Sequence, residues 1–159
     1  MDIKWIGSPH FDTGRVDRVR NQNRVELIVL HYMVGTLAAT DQHFNDPSTN
    51  VSTHYGIGEG SVHQYVKEED TAWHAGDYTI NTRSIGIEHS AFWNPDTGEI
   101  RPPESSTFTA AIDLCTRLCR QYGLDPYTAL VPHRQFTHTA CPGTLDYLYI
   151  RKQVRKNLS

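Results

Sequence analysis

His133 and Cys141 stand eight positions apart in V-P-H-R-Q-F-T-H-T-A-C-P-G, and His31 closes the apolar run V-E-L-I-V-L-H far upstream. Two imidazoles and one thiolate make a three-ligand set suited to zinc. Structural zinc sites usually close all four positions with protein atoms, whereas catalytic ones keep the fourth for water, so a set of three points toward hydrolysis. The spacing alone is a weak signal, because nine histidines in 159 residues bring some His and Cys together by chance. Taken one at a time, the same residues read as a core histidine, a loop histidine and a buried thiol. A second chemistry also uses them, with Cys141 as a nucleophile beside His133. Pro142 directly after the cysteine does not suit a nucleophile that opens a long helix.

Elements must bring these residues together. In Arg24 to His31, Val25, Leu27, Val29 and His31 share one strand face and Ile28 and Leu30 the other, which predicts a central strand covered on both sides with His31 emerging at its carboxyl end. Thr36 to Asn45 places Leu37, Thr40 and Phe44 at helical spacing, with Thr36 as cap and Pro47 beyond the end. Thr53 to Ile57 and Ser61 to Val66 predict a hairpin across the three residues Gly58-Glu59-Gly60. In Ser84 to Ser90, Ile85 and Ile87 alternate with Gly86 and Glu88, so Glu88 leaves the face opposite two buried isoleucines and points toward His31.

Residues 1–23 lack a period, end in the polar R-V-R-N-Q-N-R and read as an N-terminal arm or loop. Asn94 to Ser106 reads as a turn-rich loop. The strongest helix follows, with Phe108, Ala111, Ile112, Cys115, Leu118, Cys119 and Tyr122 on one stripe and Gly123 to stop it. A last helix runs from about Leu145 to Asn157, its Lys and Arg residues toward the carboxyl end. Helices interleaved with strands give an α/β layer fold.

Composition narrows the function classes. A length of 159 residues fits one domain with one core. Hydrophobic content of 38% and charged content of 21% are ordinary for a soluble chain, and no run approaches a membrane span. A net charge of -3 disfavours nucleic acid as a partner. The start M-D-I-K-W-I-G-S-P-H carries no visible secretory signal, so the chain is expected to be made in the cytoplasm. The three cysteines are odd in number and Cys115 and Cys119 sit on one helix, so no disulfide framework is expected.

Five separated motifs occur in one order: V-L-H ending at His31, S-T-H-Y-G-I (Ser52 to Ile57), W-H-A-G (Trp73 to Gly76), S-I-G-I-E-H (Ser84 to His89) and H-T-A-C-P-G (His138 to Gly143). In these the chain resembles the zinc-dependent N-acetylmuramoyl-L-alanine amidases of type 2, which share a fold with peptidoglycan recognition proteins and include many phage endolysins. The resemblance spans roughly residues 25 to 158. It implies a mixed central β-sheet flanked by helices, a catalytic domain over residues 24–159, and one Zn2+ held by His31, His133 and Cys141.

The resemblance also implies roles at single positions. Glu88 becomes the general base and acid, because attack of water on an amide needs a proton removed and then delivered to the leaving amine. Some relatives carry tyrosine immediately before the histidine of the G-Y-H-F-type strand and lack this glutamate. Thr53 occupies that position here, on the substrate side, which puts the chain in the glutamate-bearing subgroup. Thr139 stands where many relatives have lysine and becomes a hydroxyl donor to the developing oxyanion, with His138 as a competing donor. His74 and Trp73 fall on the substrate side. His54 reads as a structural hydrogen-bonder, since a fourth ligand would leave no place for water. The implied activity is cleavage of the amide between the lactyl group of N-acetylmuramic acid and L-alanine of the peptidoglycan stem, by a monomer that does not insert into membranes. A catalytically silent peptidoglycan-binding module is the alternative.

Overall fold

In the computed structural model, which describes residues 1–15 and 24–159, the strands in chain order are β1 (Ile3–Trp5), β2 (Phe11–Asp12), β3 (Leu27–Val34), β4 (Tyr55–Gly58), β5 (Ser61–Gln64), β6 (Thr71–Ala72), β7 (Ser84–Trp93), β8 (Ile100–Arg101) and β9 (Leu130–Pro132). The helices are α1 (Leu37–Asn45), α2 (Tyr78–Arg83), α3 (Ser105–Tyr122), α4 (Pro126–Ala129) and α5 (Tyr147–Leu158). The main sheet runs β1-β5-β4-β7-β3-β9, with β8 paired to the far end of β7, while β2 and β6 form a separate pair. Strand β3 is parallel to both β7 and β9, whereas β4 and β5 are antiparallel. The sheet is therefore mixed, with helices packed on it, as the resemblance implies.

Alternation gives that sheet two unlike faces. Ile28 and Leu30 of β3, Tyr55 and Ile57 of β4, and Ile85 and Ile87 of β7 enter one core with α3 and α5. Burying each aliphatic side chain contributes about 1.5–3 kcal/mol, and a one-residue slip of any strand would turn its whole set outward. The same slip would drive Glu88 of β7 into the core. The register that buries the isoleucines thus also aims the carboxylate.

The opposite face carries Val29 and His31 on β3, Gly56 and Gly58 on β4, and Gly86 and Glu88 on β7. Missing side chains make room there for α1, since a Cβ at Gly56 or Gly58 would come within 3.0 Å of Leu37 side-chain atoms. Thr36 caps α1 as expected, its hydroxyl accepting from the Ala39 N–H at 3.2 Å.

Several boundaries differ from the sequence reading. Strand β3 continues three residues beyond His31, because Met33 and Val34 keep pairing with Ser90 and Ala91 of β7. The hairpin turn holds two residues, Glu59 and Gly60, with Gly58 paired to Ser61. Within the loop 94–106, β8 folds back on β7 through Phe92↔Arg101. The reading of residues 1–23 as an arm needs correction for residues 1–15; the polar stretch before Arg24 lies outside the described residues. Strand β1 adds a parallel edge to β5, β2 pairs with β6, and buried Arg15 donates to the carbonyls of Glu68, Thr82 and Ser84. No helix among the described residues is long and apolar enough to cross a membrane.

Cys115 and Cys119 are free thiols buried on the inner stripe of α3, beside Leu114 and Leu118. Burial pushes both thiols up, Cys119 to about 12, so they stay protonated and act as small apolar groups. Changing both to Ala is expected to leave metal content intact and to lower stability by about 1–2 kcal/mol through lost packing. Metal analysis beside a denaturant melt checks this, and loss of bound zinc would mean the metal site lies elsewhere.

Candidate functional site

Three parallel neighbours bring the chemistry into one row. In β3, His31 pairs in register with Glu88 of β7, and the two side chains share a face. On the other flank, Pro132 of β9 pairs with Leu30, so His133, opening the short 3-10 turn His133–Gln135, arrives beside His31. The two rings lie 4.4 Å apart between centroids. Cys141 reaches them from a loop clamped by the Arg134 N–H donating to the Cys141 carbonyl at 2.9 Å. Gly143 closes that loop at φ 52, and a Cβ there would stand 2.5 Å from the Tyr32 ring. Only glycine satisfies both the backbone and the contact.

One donor atom from each of His31, His133 and Cys141 falls within a 4.8 Å cluster. Nδ1 of His31 lies 3.7 Å from the Cys141 sulfur. Burial, then the neighbouring His74 and His133, hold the His31 imidazole well below its ordinary value, so the ring is neutral and has a lone pair to offer. Burial and Glu88 push the Cys141 thiol up to about 12. A proton stays on that sulfur until a cation displaces it. Two imidazoles and a thiolate suit zinc, whereas magnesium and calcium require oxygen donors. The donor set therefore fits the metal that the sequence implies.

Glu88 is only partly exposed, and burial pushes its carboxyl up to about 8. Its Oε2 is buried without a hydrogen-bond partner among the described residues. That oxygen is available for a proton or a substrate. The carboxylate opens on a cleft of about 490 Å³ whose lining includes His31, His133, Cys141 and Glu88 together with the apolar Met33, Phe44 and Val51.

The other candidates divide. Trp73 lines the cleft, its indole N–H donating to Asp12 at 2.9 Å. Thr53 lines it too, although its hydroxyl already donates to the Tyr55 carbonyl. His74 also borders the cleft, but both of its ring nitrogens face protein atoms, His31 and Ser84. Thr139 accepts from the Cys141 N–H at 3.2 Å, which shapes the loop that carries Cys141 and leaves its own proton without an acceptor among the described residues. His54 is fully buried: its Nδ1 accepts from the Gly86 N–H, and its Nε2 meets the Asp70 carbonyl and Arg15. It is a structural hydrogen-bonder, as expected. Sequence reasoning missed Ser84 and Asp12, whose partners lie on other elements, and the apolar wall of Met33 and Val51.

The model of one family, Amidase_2, N-acetylmuramoyl-L-alanine amidase, matches residues 21–144. The chain belongs to this amidase family. Among curated amidases, it is 39% identical to N-acetylmuramoyl-L-alanine amidase A of Achromobacter lyticus over 69 residues, covering 42% of this chain and 38% of that protein. It is 28% identical to CwlH of Bacillus subtilis (strain 168) over 126 residues, 74% of this chain and 47% of that protein. The chain thus spans less than half the length of these relatives. The catalytic domain of XlyA superposes with a TM-score of 0.73 at 22% identity, covering 97% of this chain and 99% of that one. AmpDh3 from Pseudomonas aeruginosa, solved with an anhydromuramic pentapeptide, gives 0.68 at 25% identity over 81% of this chain and 59% of that one. These likenesses give the amidase family its shared fold here.

Proposed function

We propose that the chain hydrolyses peptidoglycan at the amide between the lactyl group of N-acetylmuramic acid and L-alanine of the stem peptide, with one zinc held by His31, His133 and Cys141. The observation that carries this reading is the meeting of two imidazoles and a thiol within 4.8 Å, with Glu88 in register beside His31. Family membership and the names of the relatives support the bond and the substrate. Bound zinc supplies Lewis acidity, polarising the scissile carbonyl and acidifying water.

The protein's own groups do the rest. Glu88, in its ionised form, takes the proton of the attacking water and passes it to the departing amine of L-alanine. The free hydroxyl proton of Thr139 donates toward the developing oxyanion. Trp73, held by Asp12, offers its ring as a wall for substrate, with His74 and Thr53 lining the same cleft. The partner is peptidoglycan and the working unit a monomer.

The test is mass spectrometry of digested peptidoglycan. Stem peptides with a free L-alanine amine, beside glycan that keeps its lactyl groups, are the expected products. Cuts at glycosidic bonds or inside the stem would refute the assignment of the bond, and wall binding without release would identify a recognition module instead.

A further inference from the structure

Beside the metal cluster, His31 and His74 face each other nitrogen to nitrogen, with His31 Nε2 3.0 Å from His74 Nδ1. Both rings are buried, at 2% and 9% exposure. Two neutral imidazoles meeting this way share one proton, and the side that owns it decides the fate of the other nitrogen on each ring. If His31 holds it on Nε2, its Nδ1 is a bare lone pair facing Cys141. If His74 holds it, His31 must carry its proton on Nδ1 and blocks its own ligand atom.

Ser84 breaks the tie. Its hydroxyl lies 2.6 Å from the Ile80 carbonyl and 3.0 Å from His74 Nε2. A carbonyl oxygen has no proton to give, so the hydroxyl hydrogen points at Ile80 and the oxygen can only accept from His74. The His74 proton is therefore on Nε2, its Nδ1 is an acceptor, and the shared proton belongs to His31.

We propose that His74, backed by Ser84, is the positioning residue of the metal site: it holds the His31 proton on Nε2 and so presents the Nδ1 lone pair to the metal. The inference rests on the zinc reading above and gives His74 a task other than substrate contact. Metal-bound histidines usually donate their second N–H to a carboxylate, a carbonyl or water, and such partners tune the ligand. A neutral imidazole orients the ring without adding negative charge. The dication with its single thiolate then keeps one residual positive charge.

Local sequence serves this arrangement. Asn81 Oδ1 accepts from the N–H groups of both His74 and Ala75, at 3.2 and 2.8 Å, which fixes the backbone under the ring. Gly86 leaves space for the imidazole, since a Cβ there would stand 2.7 Å from His74 Cγ. One face of β7 thus reads Ser84, Gly86, Glu88: an anchor for the relay, a gap for its ring, and the carboxylate. S-I-G-I-E is a single working edge.

The test begins with zinc-free protein carrying 15N-labelled histidine, at a pH well above the imidazole range, where long-range 1H–15N correlations distinguish the two neutral tautomers. The parent is expected to show His31 and His74 both protonated on Nε2, and Ser84→Ala to shift His31 toward a mixture. In chelator competition, His74→Leu should bind zinc about 10- to 100-fold more weakly. His74→Asn, whose side-chain carbonyl can accept in place of Nδ1, should recover part of that loss. A parent His31 protonated on Nδ1 overturns the proposal, as does a folded His74→Leu with parental zinc affinity. Should His74→Leu fail to fold, Ser84→Ala decides, and an unchanged His31 tautomer in that variant counts against the relay. If the parent takes up no zinc, the zinc reading fails on its own, while the spectra still settle which nitrogen holds the proton.

Discussion

Glu88→Gln is expected to fold, to retain zinc and to release stem peptides at least about 10²-fold more slowly than the parent, because general acid-base catalysis is typically worth about 10²–10⁴-fold. The amide keeps the size of the carboxyl group but cannot take up a proton. Since Oε2 has no partner among the described residues, the substitution breaks no hydrogen bond there, and the loss should appear in turnover rather than in melting. Thr53→Ala is the comparison. Its hydroxyl donates only to a backbone carbonyl at 2.9 Å and lacks the phenol that tyrosine-bearing relatives place there, so its effect should be mild. Zinc-loaded Glu88→Gln with parental turnover, beside an inactive Thr53→Ala, would falsify the proton-transfer role.

Cys141→Ser should lose most of its zinc, its activity and part of its thermal stability together. The thiol sits at about 12 without a cation, so the bound state must supply the free energy that removes its proton. A serine hydroxyl is a far weaker zinc ligand than a thiolate. A ligand held at about a thousand times its dissociation constant stabilises the folded state by about 4 kcal/mol, which for a chain of this size corresponds to about 10 °C in melting temperature. Chelated parent and Cys141→Ser should therefore melt at similar temperatures, both below zinc-loaded parent. Full zinc occupancy in Cys141→Ser with unchanged melting would remove Cys141 from the ligand set.

The meeting of His31, His133, Cys141 and Glu88 was legible in sequence because they sit on strongly patterned or motif-bearing segments. Alternation of Ile85 and Ile87 with Gly86 and Glu88 reports a face directly, and β3 needed the same face to pair with β7. Helix α3 was legible from its stripe, although Leu114 also joins the core. Other elements were silent for physical reasons. Strands β1 and β2 are three and two residues long, too short for any period, and exist because β5 and β6 offer them edges. Strand β9 carries Pro132, which argues against a strand by local rules, yet it lies on the outer side of β3 where a missing N–H is tolerated. His74 could be located by its motif but not given its task, because Ser84 and His31 are brought to it by the sheet.

In the proposed reaction, metal at this one cluster enables the amide cleavage. Zinc should be stripped from the purified protein with a chelator, the chelator removed, and zinc titrated back while stem-peptide release from peptidoglycan is followed. Release should stop on stripping and return in proportion to zinc until one metal per chain is bound. Undiminished release by the stripped protein would contradict the account.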